Sequence, residues 1–186
     1  YQKLQRSETC LIEQHENFVK QTYRNRCLIA TANGTQSLSV PVEKPADGRL
    51  DKTLMREVRI SDHGDWRRIH WSALCAAYGE SPFFEYYADD LHPFFERPWH
   101  YLLDFNTAIT HTLCALIGFK PDIHETTQYL STPLDDRLDL TGLDGRPPGV
   151  DVSPRLVAPA GLIVEVIADG AATSRALCLD QRNPQP

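Results

Sequence analysis

A short basic segment near the N-terminus carries the densest set of side-chain donors in the chain. Residues 18–26 read Phe-Val-Lys-Gln-Thr-Tyr-Arg-Asn-Arg, so three cations, two amides and a phenol fall within nine residues. Apolar residues at 11–12 and 27–30 flank this segment and are typical of buried strands. Guanidinium groups bind carboxylates and phosphates through paired N–H donors. The pattern therefore predicts a site for a small anion, made by Lys20, Tyr23, Arg24, Asn25 and Arg26.

The spacing of these residues suggests how such a site would work. If the segment is extended, Arg24 and Arg26 point to one face while Tyr23 and Asn25 point to the other. Two guanidinium groups on one face could share a single anion. The alternative is a solvated strand end, since runs of charge usually lie in water. The sequence leaves both interpretations open.

A histidine on a predicted helix is the candidate for acid–base chemistry. Trp66, His70 and Leu74 follow one another at four-residue spacing, so they share one face of a helix that points inward. A neutral imidazole in a cleft on that face would be a competent general base near neutral pH. The alternative is a core histidine whose ring is hydrogen-bonded to a carbonyl, because buried polar groups are usually paired.

Aromatic residues are dense in and after this helix. Trp71, Tyr78, Phe84 and Tyr86 could line a pocket for a substrate. Such a cluster is more often part of a hydrophobic core, and the sequence does not separate the two interpretations.

The hydrophobic patterns predict an α+β fold with short strands in the N-terminal third. Residues 9–13 form a strand candidate, and residues 26–32 and 36–43 form a hairpin around Asn33–Gly34. Alternating residues at 56–60 indicate a further extended segment.

Two principal amphipathic helices follow in the middle of the chain, and one further strand is predicted near the C-terminus. The helices span 66–78, with Asp65 as its N-cap, and 101–117; the strand spans 161–168. We predict a single domain over residues 1–186, with an irregular Pro-, Gly- and Asp-rich segment at 131–160 and a polar tail at 180–186.

The composition limits the partners. A net charge of −6 argues against a nucleic-acid surface, and no apolar run reaches the ~20 residues of a membrane span. The sequence contains no glycine-rich nucleotide loop and no metal-ligand spacing, so we expect neither a cofactor nor a metal. Five cysteines, an odd number without a Cys-x-x-Cys pair, are typical of reduced thiols in a cytoplasmic protein. The sequence sets no oligomeric state.

Two sequence blocks carry a family resemblance. The first is Lys-Gln-Thr-Tyr-Arg-Asn-Arg followed by a hydrophobic run, and the second runs from Trp-Arg-Arg-Ile-His-Trp at 66–71, through Ala-Tyr-Gly, to Pro-Phe-Phe-Glu-Tyr-Tyr at 82–87. In this order they resemble the WbqC-like protein family over roughly residues 1–120. Asn106 lies where that family tends to carry a Leu–Asn pair, with Phe105 in place of the Leu, while residues 131–186 depart from the family pattern.

The resemblance implies a cytoplasmic enzyme of O-antigen or other glycan biosynthesis. Its expected reaction is the transfer of an acyl group, glycine or another aminoacyl group, to an amino sugar or a related amine. The expected partner is a small-molecule or carrier-bound acyl donor, with His70 as base and Asn106 as an oxyanion or substrate donor. The rival interpretation is a non-catalytic binding or scaffold protein that recognises a sugar or small anion through Arg and aromatic residues.

Overall fold

The computed structural model describes residues 4–5, 9–129, 137–139 and 155–159. Strands and helices are both present, so the predicted α+β class is confirmed. The strands are β1 (Thr9–Glu13), β2 (Arg26–Thr31), β3 (Gly34–Ser39), β4 (Ile123–Glu125), β5 (Arg137–Asp139) and β6 (Arg155–Pro159). The helices are α1 (Trp66–Tyr78), α2 (Phe84–Leu91), α3 (Pro93–Glu96) and α4 (Leu102–Leu116), with short 3-10 turns at 50–52, 55–57 and 63–65.

The first sheet is parallel, with strand order β4-β1-β6-β5. Its inner strand β1 places Cys10 opposite Ile123 of β4 on one side and opposite Leu156 of β6 on the other. Both β5 and β6 lie inside residues 131–160, for which the sequence predicts irregular structure. The strand predicted at 161–168 lies outside the described residues.

The second sheet is the predicted hairpin of β2 and β3, joined by residues 32–33. Cys27, Ile29 and Leu38 are buried on one face, and the residues between them on the other face are more exposed. This alternation follows from the two-residue period of a strand. Helix α1 packs against β2, so the buried face of the hairpin forms part of the core.

Helix α1 has the bounds that its pattern predicts. Its buried residues are Trp66, His70 and Leu74, which confirms the predicted four-residue spacing. Ile69, which helical spacing also predicts on the inward stripe, is 48% exposed. The predicted cap is wrong: Asp65 has φ 49° and makes no capping hydrogen bond. Its carboxylate instead accepts a hydrogen bond from Nε of Arg68 at 2.5 Å, so the side chain is drawn along the helix and away from the free amides.

An extended segment at 58–60 lies between the residues around 42–43 and those around 100–101, and it is hydrogen-bonded to both. On one side the amide of Glu43 donates to the Arg59 carbonyl at 2.9 Å. On the other side the amide of Ile60 donates to the His100 carbonyl at 2.9 Å, just before α4 begins. Val58 and Ile60 are buried, so the intervening Arg59 side chain points outward, in agreement with the alternation predicted there. The prediction is wrong for residues 56–57, which are both exposed and belong to the 3-10 turn at 55–57.

Burial should make three thiols unreactive in the native protein. It raises the pKa of Cys10 and Cys27 to about 12, and that of Cys114 to about 11. The thiolate is the reactive form, so a disulfide reagent at about pH 8 should modify these three only slowly. In denaturant all five cysteines should react, because we expect each of them to be reduced. Fast labelling of Cys27 in the native protein, located by mass spectrometry, would contradict the buried assignment.

Candidate functional site

The loop at 14–25, which joins β1 to β2, is held by a buried ion pair. Arg24 donates from Nε to Oε1 of Glu16 at 3.0 Å and from Nη2 to Oε2 at 2.7 Å. This two-pronged geometry matches the planar guanidinium to the planar carboxylate. Both side chains are about nine-tenths buried. The charge of Arg24 is therefore compensated inside the protein, and Arg24 braces the loop.

Further hydrogen bonds fix the same loop to its surroundings. Asn106, which is fully buried on α4, donates from Nδ2 to the Arg24 carbonyl at 3.0 Å. Asn25 donates from Nδ2 to the Val40 carbonyl at 2.9 Å. Two of the predicted site residues, Asn25 and Asn106, thus bind backbone carbonyls in and beside the basic segment, and they set its path.

The outward-facing part of the loop carries the remaining predicted residues. Lys20 is exposed, whereas Tyr23 and Arg26 are half-buried. Arg26 donates from Nη2 to the Gln21 carbonyl at 2.5 Å, and its guanidinium lies 5.8 Å from the centre of the Tyr23 ring. The two arginines of the segment therefore have different partners. Lys20, Tyr23 and Arg26 each reach solvent at least in part.

His70 lies in an aromatic enclosure. Its ring centre is 5.1 Å from that of Trp66 and 6.4 Å from that of Phe95, and the residue is 7% exposed. Burial lowers the pKa of His70 to about 4, and a hydrogen bond with the Ser39 backbone opposes part of this effect. Ser39 pairs with Arg26 across the hairpin, so His70 and Arg26 meet at the same end of β2 and β3.

The remaining predicted residues divide into two groups. Trp71 and Phe84 stack with ring centres 6.2 Å apart, and Trp71 also lies 4.5 Å from the His92 ring. Tyr78 accepts a hydrogen bond at its hydroxyl from the amide of Ala30 at 3.0 Å, which joins α1 to β2. Tyr86, by contrast, is 72% exposed on α2. Trp71, Phe84 and Tyr78 are thus engaged in packing or hydrogen bonds, and Tyr86 faces solvent.

A polar cluster that the sequence analysis did not single out lies where β1 and β4 end. Glu13 ends β1 and Gln14 and His15 follow it, and all three interact with Thr126, which follows β4. The Thr126 hydroxyl donates to the buried Glu13 carboxylate at 2.9 Å, and the His15 amide donates to the same oxygen at 2.8 Å. Ligands of α/β sheets bind outside the carboxyl ends of parallel strands, which is where this cluster lies.

The hydrogen bond to Thr126 determines the form of the His15 ring. Nε2 of His15 lies 3.1 Å from the Thr126 carbonyl oxygen, which can only accept. The neutral ring therefore carries its proton on Nε2 and its lone pair on Nδ1. His15 is only partly buried, so this lone pair belongs to a ring with access to solvent. An imidazole oriented by a carbonyl in this way is a common arrangement for a proton acceptor.

The protein is therefore an α+β fold in which a buried ion pair holds the basic loop. A polar cluster lies where the parallel strands β1 and β4 end. The chain belongs to the WbqC-like protein family, whose sequence profile matches residues 1–141. It is also similar to "Uncharacterized protein Rv1507c" of Mycobacterium tuberculosis, with 31% identity over 113 residues, which are 60% of this chain. Those residues are 47% of that protein, so the chain spans about half the length of this curated relative. No solved structure matches the chain.

Two further observations concern only the described part of the chain. None of its helices combines the length and apolar character that crossing a membrane requires. Its His, Cys, Asp and Glu side chains form no group of three or more that could hold a metal ion.

Removing one member of the Glu16–Arg24 pair should destabilise the protein strongly. Arg24→Met leaves the Glu16 carboxylate buried without its charged partner, and such a loss typically costs about 3–5 kcal/mol in the free energy of unfolding. Urea unfolding measures this cost. The matched control is Arg68→Met, which breaks an exposed pair with Asp65 and should cost about 0–1 kcal/mol. Equal effects of the two substitutions would show that the buried pair is not a brace.

His70 should make stability fall in acid. Its pKa is about 4 in the folded protein and about 6.5 in the unfolded chain, so between these values only the unfolded chain takes up the proton. The contribution of His70 to the free energy of unfolding is therefore fully present above about pH 6.5. It falls by about 3 kcal/mol as the pH is lowered towards 4. His70→Gln should remove this component. Urea unfolding of both proteins across this range tests it, and a difference between them that does not vary with pH would contradict it.

Proposed function

We propose that this chain is a cytoplasmic transferase that moves an acyl group, glycine or another aminoacyl group, onto the amine of an amino sugar in glycan biosynthesis. Membership of the WbqC-like protein family supports this class of reaction. The observation that carries the proposal is the braced loop at 14–25, because rigid placement of binding groups lowers the barrier to a reaction between two substrates. Lys20, Tyr23 and Arg26 are its substrate-binding residues, and they hold a phosphate or carboxylate of the acyl donor.

The reaction requires a group that accepts a proton. The amine nitrogen attacks the acyl carbonyl carbon, and the bond from that carbon to the donor oxygen or sulfur breaks as the new C–N bond forms. The proton lost by nitrogen passes to a histidine and then to the departing oxygen or sulfur. His15 is favoured for this role, since its lone pair is on Nδ1 and its ring is only partly buried.

His70 is the alternative proton acceptor, chosen from its position in the Trp-x-x-x-His-Trp block. A pKa of about 4 makes it a weak base near neutral pH, where an acceptor of higher pKa performs better. Its aromatic enclosure also separates it from solvent.

The seclusion of His70 supports a second candidate function, which is non-catalytic. In that function the chain recognises a sugar or small anion through Arg26 and exposed aromatic residues such as Tyr86, and it carries out no chemistry. The two functions differ in whether a covalent product forms.

Paired substitutions test the transferase and its base together. The parent, His15→Gln and His70→Gln should be incubated with glycyl-tRNA or a glycyl thioester and with UDP-glucosamine, and the product read as the mass gain of one glycyl residue. His15→Gln should slow transfer by about 10²–10⁴-fold, which is the usual contribution of a general base. Its melting temperature should stay close to that of the parent, because Gln can still donate to the Thr126 carbonyl.

The control variant separates catalysis from stability. His70→Gln should lower the melting temperature through lost packing against Trp66 and Phe95, with turnover per folded molecule largely kept. The reverse result is an inactive His70→Gln of normal stability together with an active His15→Gln. It would show that His70, and not His15, is the general base. Absence of transfer by the parent with either donor would leave the binding function.

A further inference from the structure

Two clefts share one lining residue, Arg59, and neither is lined by a residue of the basic loop. The first has a volume of about 460 Å³ and is lined by Arg59, Pro98, Trp99, His100, Tyr101 and Asp104. The second has a volume of about 500 Å³, and its lining includes Arg59 together with Lys44, Arg49 and Lys52. Arg59 is thus common to an aromatic cleft and to a charged one, and neither cleft belongs to the site described above.

Arg59 is held firmly between them by its backbone. The Arg59 carbonyl accepts from the amide of Glu43, the Val58 carbonyl accepts from the amide of Leu102 at the start of α4, and the amide of Ile60 donates to the His100 carbonyl. Val58 and Ile60 are buried, which directs the guanidinium to the surface. The backbone of Arg59 is therefore fixed by hydrogen bonds on both sides of its segment, and its exposed side chain lines both clefts.

The aromatic cleft offers flat apolar walls. The Arg59 guanidinium lies 5.6 Å from the centre of the Tyr101 ring. Trp99 donates a hydrogen bond from Nε1 to the Phe94 carbonyl at 3.1 Å. Its ring also stacks on that of Phe94, with ring centres 5.6 Å apart and nearly parallel planes. Fixed rings of this kind bind the faces of sugars and of nucleic-acid bases, because such ligands present apolar or π surfaces.

The charged cleft contains groups suited to phosphate and to hydroxyls. Lys44, Arg49, Lys52 and Arg59 supply four cations, in a chain whose net charge is −6. Glu43, Asp47 and Glu57 also line it, and carboxylates accept hydrogen bonds from the hydroxyls of ribose and other sugars. A bare anion would leave these three acids without a partner, whereas a ligand with both phosphates and hydroxyls has groups for the cations and for the acids.

We propose that the two clefts form one binding site for a nucleoside diphosphate sugar. Its diphosphate binds Arg59 and the neighbouring lysines, and a ring at one end packs against Trp99 and Tyr101. Such a ligand carries a flat ring for the aromatic cleft, a diphosphate for Arg59, and hydroxyls for the acids of the charged cleft. The role of this ligand as the acyl acceptor rests on the proposed transferase function, whereas its binding does not.

Calorimetric titration of the full chain tests the site with three probes: UDP-glucosamine, glucosamine 1-phosphate and inorganic pyrophosphate. UDP-glucosamine should bind with a Kd between about 1 μM and about 1 mM, the usual range for substrates. Arg59→Ala should weaken it by at least about tenfold, since a hydrogen bond to a charged group is lost. Arg68→Ala is the control, because this exposed arginine pairs with Asp65 and neither residue lines a cleft, and it should bind as the parent does.

A second variant separates the nucleotide from a bare anion. Trp99→Ala should weaken UDP-glucosamine several-fold and leave pyrophosphate unchanged. Equal affinity for all three probes, or no binding of UDP-glucosamine at millimolar concentration, would overturn the proposal. So would undiminished binding by Arg59→Ala. Binding of UDP-glucosamine without glycyl transfer would contradict only the transferase function. Glycyl transfer by Arg59→Ala with unchanged affinity for UDP-glucosamine would contradict only this binding site.

Discussion

The ion pair between Glu16 and Arg24 is the constraint on which the basic loop depends. Two charges lose most of their hydration when they are buried, and only close, two-pronged contact compensates that loss. Once Arg24 is turned inward to meet Glu16, its carbonyl meets Asn106 on α4, and the adjacent Asn25 reaches Val40 beyond the hairpin. The ion pair thus connects the sheet, the hairpin and the longest helix at one place. Lys20, Tyr23 and Arg26 remain at least partly exposed.

The parallel sheet places a different kind of chemistry near the start of this loop. Because β1 and β4 run in the same direction, the residues after each strand meet, and Thr126 becomes the common partner of three residues that follow Ile12. The loop therefore begins at a polar cluster and ends at the end of the hairpin where His70 contacts Ser39. Both histidines border the same connection. The His15 ring is partly exposed, and the His70 ring is enclosed by aromatic rings. Their environments, more than their positions along the chain, distinguish their chemical uses.

Local periodicity made much of this fold predictable. The hairpin follows from the pattern of two neighbouring strands and their turn, and α1 follows from a pattern within a few helical turns. The burial of Trp66, His70 and Leu74 follows from their helical spacing. Asp65 was wrong as a cap because an ion pair with Arg68 competed for its carboxylate. The parallel sheet escaped prediction because its strands are only three to five residues long and their partners are far apart in sequence.

The candidate site was predictable in residue types and not in partners. The basic segment shows its cations plainly, but nothing local indicates that Arg24 would bind Glu16 while Arg26 stays near Tyr23. His15 carried no signal of its own, since its importance comes from a carbonyl 111 residues later in the chain. Arg59 was recognised as part of an alternating segment, whereas the clefts on both sides of it arise from three stretches that meet only in the folded protein.

The inner position of β1 also sets the order in which the chain acquires its structure during synthesis. This strand is synthesised more than a hundred residues before its partners β4 and β6, which begin at Ile123 and Arg155. The hairpin of β2 and β3 closes through a two-residue loop and has no such delay. Contacts between distant residues form late because the entropy of closing a long loop must be met first. The nascent chain thus holds an unpaired apolar strand while more than a hundred residues are added, and in that interval it depends on the hairpin, on α1 or on a chaperone to keep the strand from pairing with another molecule.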